Sequence, residues 1–326
     1  MRAPDQNFWA AMNRPRILIS MVPALLLASS LALTKERTGI LHEERSLYTR
    51  ILVHKVNDLL CMKFTLVRSD SNQSCKDLRA PRRLVFAYAK MTMTALLFNQ
   101  QPQNILIVGL GGGTLPEAFF GLLDNVQIDT VEIDQAVIKV AKEYFLFKES
   151  ERNRVFAQDA RVFVKRAILQ SKEYDLVILD AFNGDYIPEH LMTKEFLMEV
   201  QRLLSQKGLL IANTFGTSKL YDYESNTYQD VFGDFINYKR PETGNRLIIV
   251  PQAKLLSEER DPIDTAKLLQ TARQLEGKMA ELEVPIIRYA RELPRKMASK
   301  PDWDQNTEII TDQFSPVNLL RRQLRD

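Results

Sequence analysis

Four short apolar runs in this chain end in glycine or acid. Gly109-Leu110-Gly111-Gly112-Gly113 follows Asn104–Val108, Glu132 falls at the end of Val126–Ile133, Asp159 follows Arg154–Ala157, and Asp180 follows Tyr174–Leu179. Glycines in such a turn let the backbone approach a ligand closely and leave the N–H groups of the next helix free. An acid about 20 residues beyond the loop, the place held by Glu132, accepts both hydroxyls of a ribose. Asp159 with Ala160 offers a carboxylate to an adenine amino group, and Asp180 emerges where a substrate would sit. Each has a structural alternative: a tight turn for the glycines, a solvated strand end for Glu132, and helix capping for Asp159 and Asp180.

Other chemistries are excluded or weakened. The loop lacks the lysine of GxxxxGK[ST], which removes P-loop nucleotide hydrolysis. Dinucleotide binding stays open, although Thr114 stands at the third glycine of G-x-G-x-x-G. The three histidines (His42, His54, His190) are scattered, and Cys61 and Cys75 have no zinc-ligand spacing, so no metal site is expected and both cysteines read as thiols. With 44 basic against 41 acidic residues, the net charge of +3 argues against a nucleic-acid partner held by many phosphate contacts.

The elements that must position these residues follow from the hydrophobic pattern. From Asn104 onward, apolar runs alternate with amphipathic stretches, five strands with helices between them, and this rhythm predicts a parallel sheet covered on both faces. In such an α/β sheet ligands bind at the carboxyl ends of the strands. Two later runs, 234–238 and 246–250, predict an antiparallel hairpin at one edge. Upstream, SLYTRILVHKV and LLCMKFTLV flank Asn57-Asp58 and predict a hairpin, residues 79–98 carry a helical period, and residues 255–326 are mostly helical. Ile17–Leu33 is free of charge. It lies near the short limit for crossing about 30 Å of hydrocarbon, so a membrane anchor, a cleaved signal and a buried helix are all open.

These motifs resemble those of the spermidine synthase family of aminopropyltransferases. The matching residues are ILIVGLGGGTLPEAF, then VEID (131–134), QDA (158–160) and YDLVILDAFNGDYIPEHLMTKEF (174–196). The GLGGGTLP and DAF segments, with the late TDxxxPV at 311–317, are most similar to a divergent bacterial branch. The resemblance implies a doubly wound, methyltransferase-like (Rossmann-like) α/β sheet preceded by a small N-terminal β domain. Its divisions would be an N-terminal segment over 1–43, the β domain over 44–78, and a catalytic domain over 79–326 with a helical C-terminal region.

It further implies that Gln73 and Glu132 hold the ribose of an adenosyl sulfonium donor, Asp159 and Ala160 its adenine, and Gly109, Gly111 and Gly113 its tail. Asp180 would be the catalytic base, Tyr88 would help place the acceptor, and Asn183 and Asp185 would bind a small-molecule amine acceptor. The donor would be decarboxylated S-adenosylmethionine or S-adenosylmethionine itself, a cosubstrate rather than a bound cofactor. Family members often pair as homodimers; because sulfonium donors are made in the cytosol, the catalytic domain is expected in the cytoplasm, with Ile17–Leu33 as a candidate anchor to the inner membrane.

Three positions depart from the family pattern. Gly111 stands where an aspartate grips the donor's terminal amine, Asn183 where the second acid of the Asp-x-x-Asp pair binds a diamine, and Ala89 where histidine or glutamine follows the tyrosine. Three functions therefore remain in view: aminopropyl transfer, methyl transfer on the same scaffold, and a membrane-associated homologue without catalysis. An unrelated dinucleotide oxidoreductase is a more distant fourth.

Overall fold

A computed structural model of the chain describes residues 38–64, 72–182, 186–252, 264–297 and 299–316. Ile17–Leu33, Asn183 and Asp185 lie outside the described residues. Among the described residues no helix is long and apolar enough to cross a membrane.

An antiparallel four-stranded sheet comes first, in the order β1 (Thr38–Arg45), β2 (Arg50–Val56), β3 (Leu59–Phe64), β4 (Asn72–Asp77). Asn57, with φ +53°, turns the β2–β3 hairpin, as asparagine does more readily than most side chains. The antiparallel register of β3 and β4 sets Cys61 directly opposite Cys75, with Cα atoms 4.1 Å apart, and the two are joined in a disulfide. The sequence reading of two thiols is thereby corrected: spacing along the chain does not reveal which residues face each other across a sheet. Two short helices, α1 (Ala87–Thr92) and α2 (Ala95–Phe98), follow.

The larger sheet has seven strands. They are β5 (Asn104–Val108), β6 (Gln127–Glu132), β7 (Asn153–Ala157), β8 (Tyr174–Leu179), β9 (Leu204–Phe215), β10 (Ile236–Lys239) and β11 (Asn245–Pro251), in the spatial order β10-β11-β9-β8-β5-β6-β7. Five are parallel, while β11 pairs antiparallel with β9 and β10 with β11, which forms the expected edge hairpin. From β5 the chain winds outward through β6 and β7, then crosses back to β8 on the other side of β5. The strand order reverses at the carboxyl end of β5, where a crevice must open.

The helices between the strands are α3 (Thr114–Leu122), α4 (Gln135–Glu143), α5 (Ala160–Leu169), α6 (Lys194–Gln201) and α7 (Tyr221–Phe232); α8 (Thr265–Ala280) and α9 (Ile286–Met297) come last. Successive strand residues point to opposite faces. Ile105 and Ile107 of β5 therefore join one buried cluster with residues of α2, α3, α8 and α9, while Leu106 and Val108 join another with α5, α6 and α7. Coverage on both faces explains why these strands read as unbroken apolar runs.

Candidate active site

The glycine loop is built for contact. Gly109 has φ +101°, and a Cβ there would lie 2.3 Å from the carbonyl oxygen of Asp180, so the loop and the end of β8 touch backbone to backbone. Gly109 N–H also donates to the Val131 carbonyl at 2.8 Å. The tips of β5, β6 and β8 are thus drawn around one hollow. A cavity of about 250 Å³ opens there, and Glu132, Asp159, Ala160 and Asp180 all line it, together with Gly109, Gly111, Gln73 and Tyr88. Gly113 sits behind this wall. It caps α3 with φ +78°, a Cβ on it would strike the Phe147 ring, and unlike Gly109 and Gly111 it is not part of the cavity lining, so the expectation that it touches a ligand is corrected.

Glu132 is held by backbone donors. Leu110 N–H donates to Oε2 at 3.1 Å and Asp134 N–H to Oε1 at 3.0 Å. Each oxygen keeps acceptor capacity, so the fixed carboxylate can still take two hydroxyls. Burial raises its pKa, against the lowering effect of those N–H groups. Next to it, Asp134 caps α4 through Ala136 N–H and accepts from Ser46 Oγ on the β1–β2 hairpin, which ties the small sheet to the cavity rim.

Asp159 takes the capping role weighed for it and also lines the cavity. Its Oδ1 caps α5 by accepting from Val162 N–H at 3.0 Å, and its Oδ2 lies 2.8 Å from His190 Nε2. His190, on the 3₁₀ turn Glu189–Leu191, also lines the cavity. It was absent from the sequence-derived set, since only the return of the chain after β8 brings it near β7.

Asp180 stands at the centre. Asn213 Nδ2 donates to Oδ1 at 2.7 Å, and the Tyr88 hydroxyl donates to Oδ2 at 3.3 Å. Burial pushes the Asp180 carboxyl up to about 7, while those two donors pull the other way. Burial, and then the neighbouring Asp180 carboxylate, raises the Tyr88 phenol well above its ordinary value, so it stays a neutral donor. Asn213 is a second residue that the sequence reading missed.

The described part of the TDxxxPV segment, residues 311–316, is fastened beside the site. Asp312 receives both terminal nitrogens of Arg161 at 2.6 and 2.7 Å and accepts from Thr193 Oγ1 at 2.8 Å. Arg161 directly follows Ala160, so the C-terminal segment is fastened to the end of α5 that faces the cavity. Among the described residues no cluster of histidine, cysteine or acid could hold a metal ion.

The sheet is doubly wound and of the methyltransferase-like α/β class, and three parallel strands that follow one another along the chain each present an acid to the same cavity. Residues 85–251 match the family model described as the spermine/spermidine synthase domain. A polyamine aminopropyltransferase of Vibrio vulnificus is 45% identical over 288 residues, which cover 87% of this chain and 92% of that protein. Among solved structures, a probable spermidine synthase from Corynebacterium glutamicum (TM-score 0.58, 19% identity, 83% of this chain and 99% of that one) and spermidine synthase from Thermotoga maritima (0.57, 18%, 81% and 85%) share the fold. The chain belongs to the spermine/spermidine synthase family.

Proposed function

We propose that this protein transfers an aminopropyl group from decarboxylated S-adenosylmethionine to the amine of an aliphatic acceptor. The observation that carries this reading is the buried Asp180 carboxylate, placed in the same cavity as the Glu132 carboxylate and held by one donor on each oxygen. In the reaction the acceptor nitrogen attacks the methylene carbon next to the sulfonium sulfur. A C–N bond forms, the C–S bond breaks, and the thioether leaves with the bonding pair as a neutral group, so no acid is needed on that side. The acceptor is an ammonium in water, with a pKa of about 10, and must lose a proton before its lone pair can attack. Asp180 takes that proton, and the geometry of the two bound reactants supplies much of the remaining acceleration.

Glu132 receives the ribose hydroxyls and Asp159, steadied by His190, the adenine amino group. A second hollow, of about 420 Å³, shares Gln73, Tyr88 and Phe182 with the first and is walled by Phe86, Phe215 and Asn213. The acceptor's methylene chain fits these apolar walls, with its reacting nitrogen toward Tyr88 and Asp180.

One observation favours methyl transfer as a second reading. The described residues beside Gly111 are neutral, with Ser74 Oγ and Thr114 Oγ1 3.3 Å apart, a wall better matched to the net-neutral methionine tail of the full donor than to the cationic tail of the decarboxylated one. Product analysis separates the two. Incubation with each donor and 1,4-diaminobutane is expected to give methylthioadenosine from the decarboxylated donor; S-adenosylhomocysteine from the full donor, with no methylthioadenosine, would replace the first reading by the second.

A further inference from the structure

The hydrogen bond on Asp180 Oδ1 is the last of a series. Asn213, buried on β9, donates Nδ2 to Asp180 at 2.7 Å, and its own Oδ1 accepts from Asn245 Nδ2 at 3.0 Å. Asn245, at the start of β11, accepts on Oδ1 from Thr243 Oγ1 at 2.8 Å. The Thr243 oxygen in turn accepts from the backbone N–H of Asn245 at 3.1 Å. A backbone N–H can only donate. The Thr243 oxygen accepts that N–H, and its own hydrogen goes to the Asn245 amide oxygen. The Asn245 NH₂ then faces Asn213, and the Asn213 NH₂ faces Asp180. Each amide has one accepting and one donating end, so the sense set at Thr243 runs unbroken to the carboxylate.

We infer that Asn213 is a positioning residue that holds Asp180 in its proton-accepting form, and that Asn245 and Thr243 fix the sense of the Asn213 amide. A freely rotating Asn213 could offer Oδ1 instead, and that end pairs only with a protonated acid, which is unable to accept the acceptor's proton. The relay removes this alternative. Both Thr243 and Asn245 also wall the second hollow, so the acceptor pocket and the base form one hydrogen-bonded unit. The inference rests on the reading of Asp180 as the base.

Among the described residues, the other titratable groups near Asp180 come from several elements. Tyr88, from α1, touches it directly. Glu132, Asp134, Asp159, Tyr48, Tyr186 and His190 line the same cavity from other elements. Glu224, from α7, lies behind β9 in an ion pair with Arg246, and Glu242, at the second hollow, pairs with Arg240.

The test is the pH dependence of kcat/KM for the full chain with decarboxylated S-adenosylmethionine and 1,4-diaminobutane, read beside donor affinity by calorimetry. Wild type is expected to gain activity through about pH 7 as Asp180 ionises. Loss of one charge-assisted donor in Asn213→Leu should move that limb up by about one pH unit and cost about fivefold at pH 7, with donor affinity retained. Thr243→Val, at a half-buried turn position, should move the limb the same way by less, while Thr243→Ser restores it. An unmoved limb in both Asn213→Leu and Thr243→Val, or a Thr243→Ser variant as shifted as Thr243→Val, would overturn the relay. Asp180→Asn tells the two failures apart: if it is inactive while the Asn213 limb stays put, the relay alone is wrong, and if it is fully active, the base assignment falls first.

Discussion

Asp180→Asn should stabilise the protein at alkaline pH while it abolishes turnover. Burial holds the Asp180 carboxyl near 7 in the folded chain, against 3.8 for an ordinary aspartate. Between these values the folded state keeps a proton that the unfolded state has released. Stability contributed by this group is therefore present at low pH and lost as pH rises from about 4 to about 7, with a slope of up to about 1.4 kcal/mol per pH unit. Above pH 7 the accumulated cost approaches ~4 kcal/mol, the product of about three units and 1.36 kcal/mol each. Asparagine has the same shape and no charge to bury. Its oxygen still accepts from Asn213, and its NH₂ can donate to the Tyr88 oxygen, so the expected gain at pH 8 is about 2–4 kcal/mol, falling to near zero at pH 4. Urea denaturation of both proteins across pH 4–8, compared at constant m, measures the difference directly. A difference that does not change with pH would refute the assignment of a high pKa to Asp180, and with it the electrostatic part of the proposed mechanism.

Three further outcomes are expected. Arg246 and Glu224 form a buried ion pair at 3.0 Å, so Arg246→Met should cost about 3–5 kcal/mol by leaving the carboxylate uncompensated, and Glu224→Gln in the same chain should recover part of it; chemical denaturation of the single and double variants checks this. Joint replacement of Cys61 and Cys75 by serine should lower stability by about 3 kcal/mol on the chain-entropy account, with thermal melts under oxidising and reducing conditions converging on the same value. Asp312→Ala frees Arg161 from one of its two carboxylates and should weaken donor binding by about 1 kcal/mol, roughly fivefold by calorimetry, while kcat changes little.

What the sequence made legible follows the physics of each element. The central strands were readable because residues such as Ile105 to Val108 are buried on both faces, and the acids just past them, Glu132, Asp159 and Asp180, were readable because strand ends in a parallel sheet converge. Helix α7 was not, since its buried positions include Glu224, Ser225, Asn226 and Thr227, whose burial depends on partners far along the chain rather than on an apolar period. Strand β4, Asn72–Asp77, hides for the same reason: it is polar, yet it brings Gln73 to the cavity. The Cys61–Cys75 bridge depends on strand register, which composition does not carry. Asn213 ends the apolar run that predicts a fifth strand, two residues before β9 itself ends, and the rule that found the acids points to it equally. As a neutral amide it drew no attention, because its role comes only from the carboxylate it faces.

The central claim is that acids at successive strand tips surround one adenosine-bearing donor, and calorimetric titration of decarboxylated S-adenosylmethionine into wild type and Glu132→Gln tests it most directly. Loss of a charged acceptor for two ribose hydroxyls should weaken binding by about 2 kcal/mol, roughly thirtyfold. Equal affinity in the two proteins would contradict it.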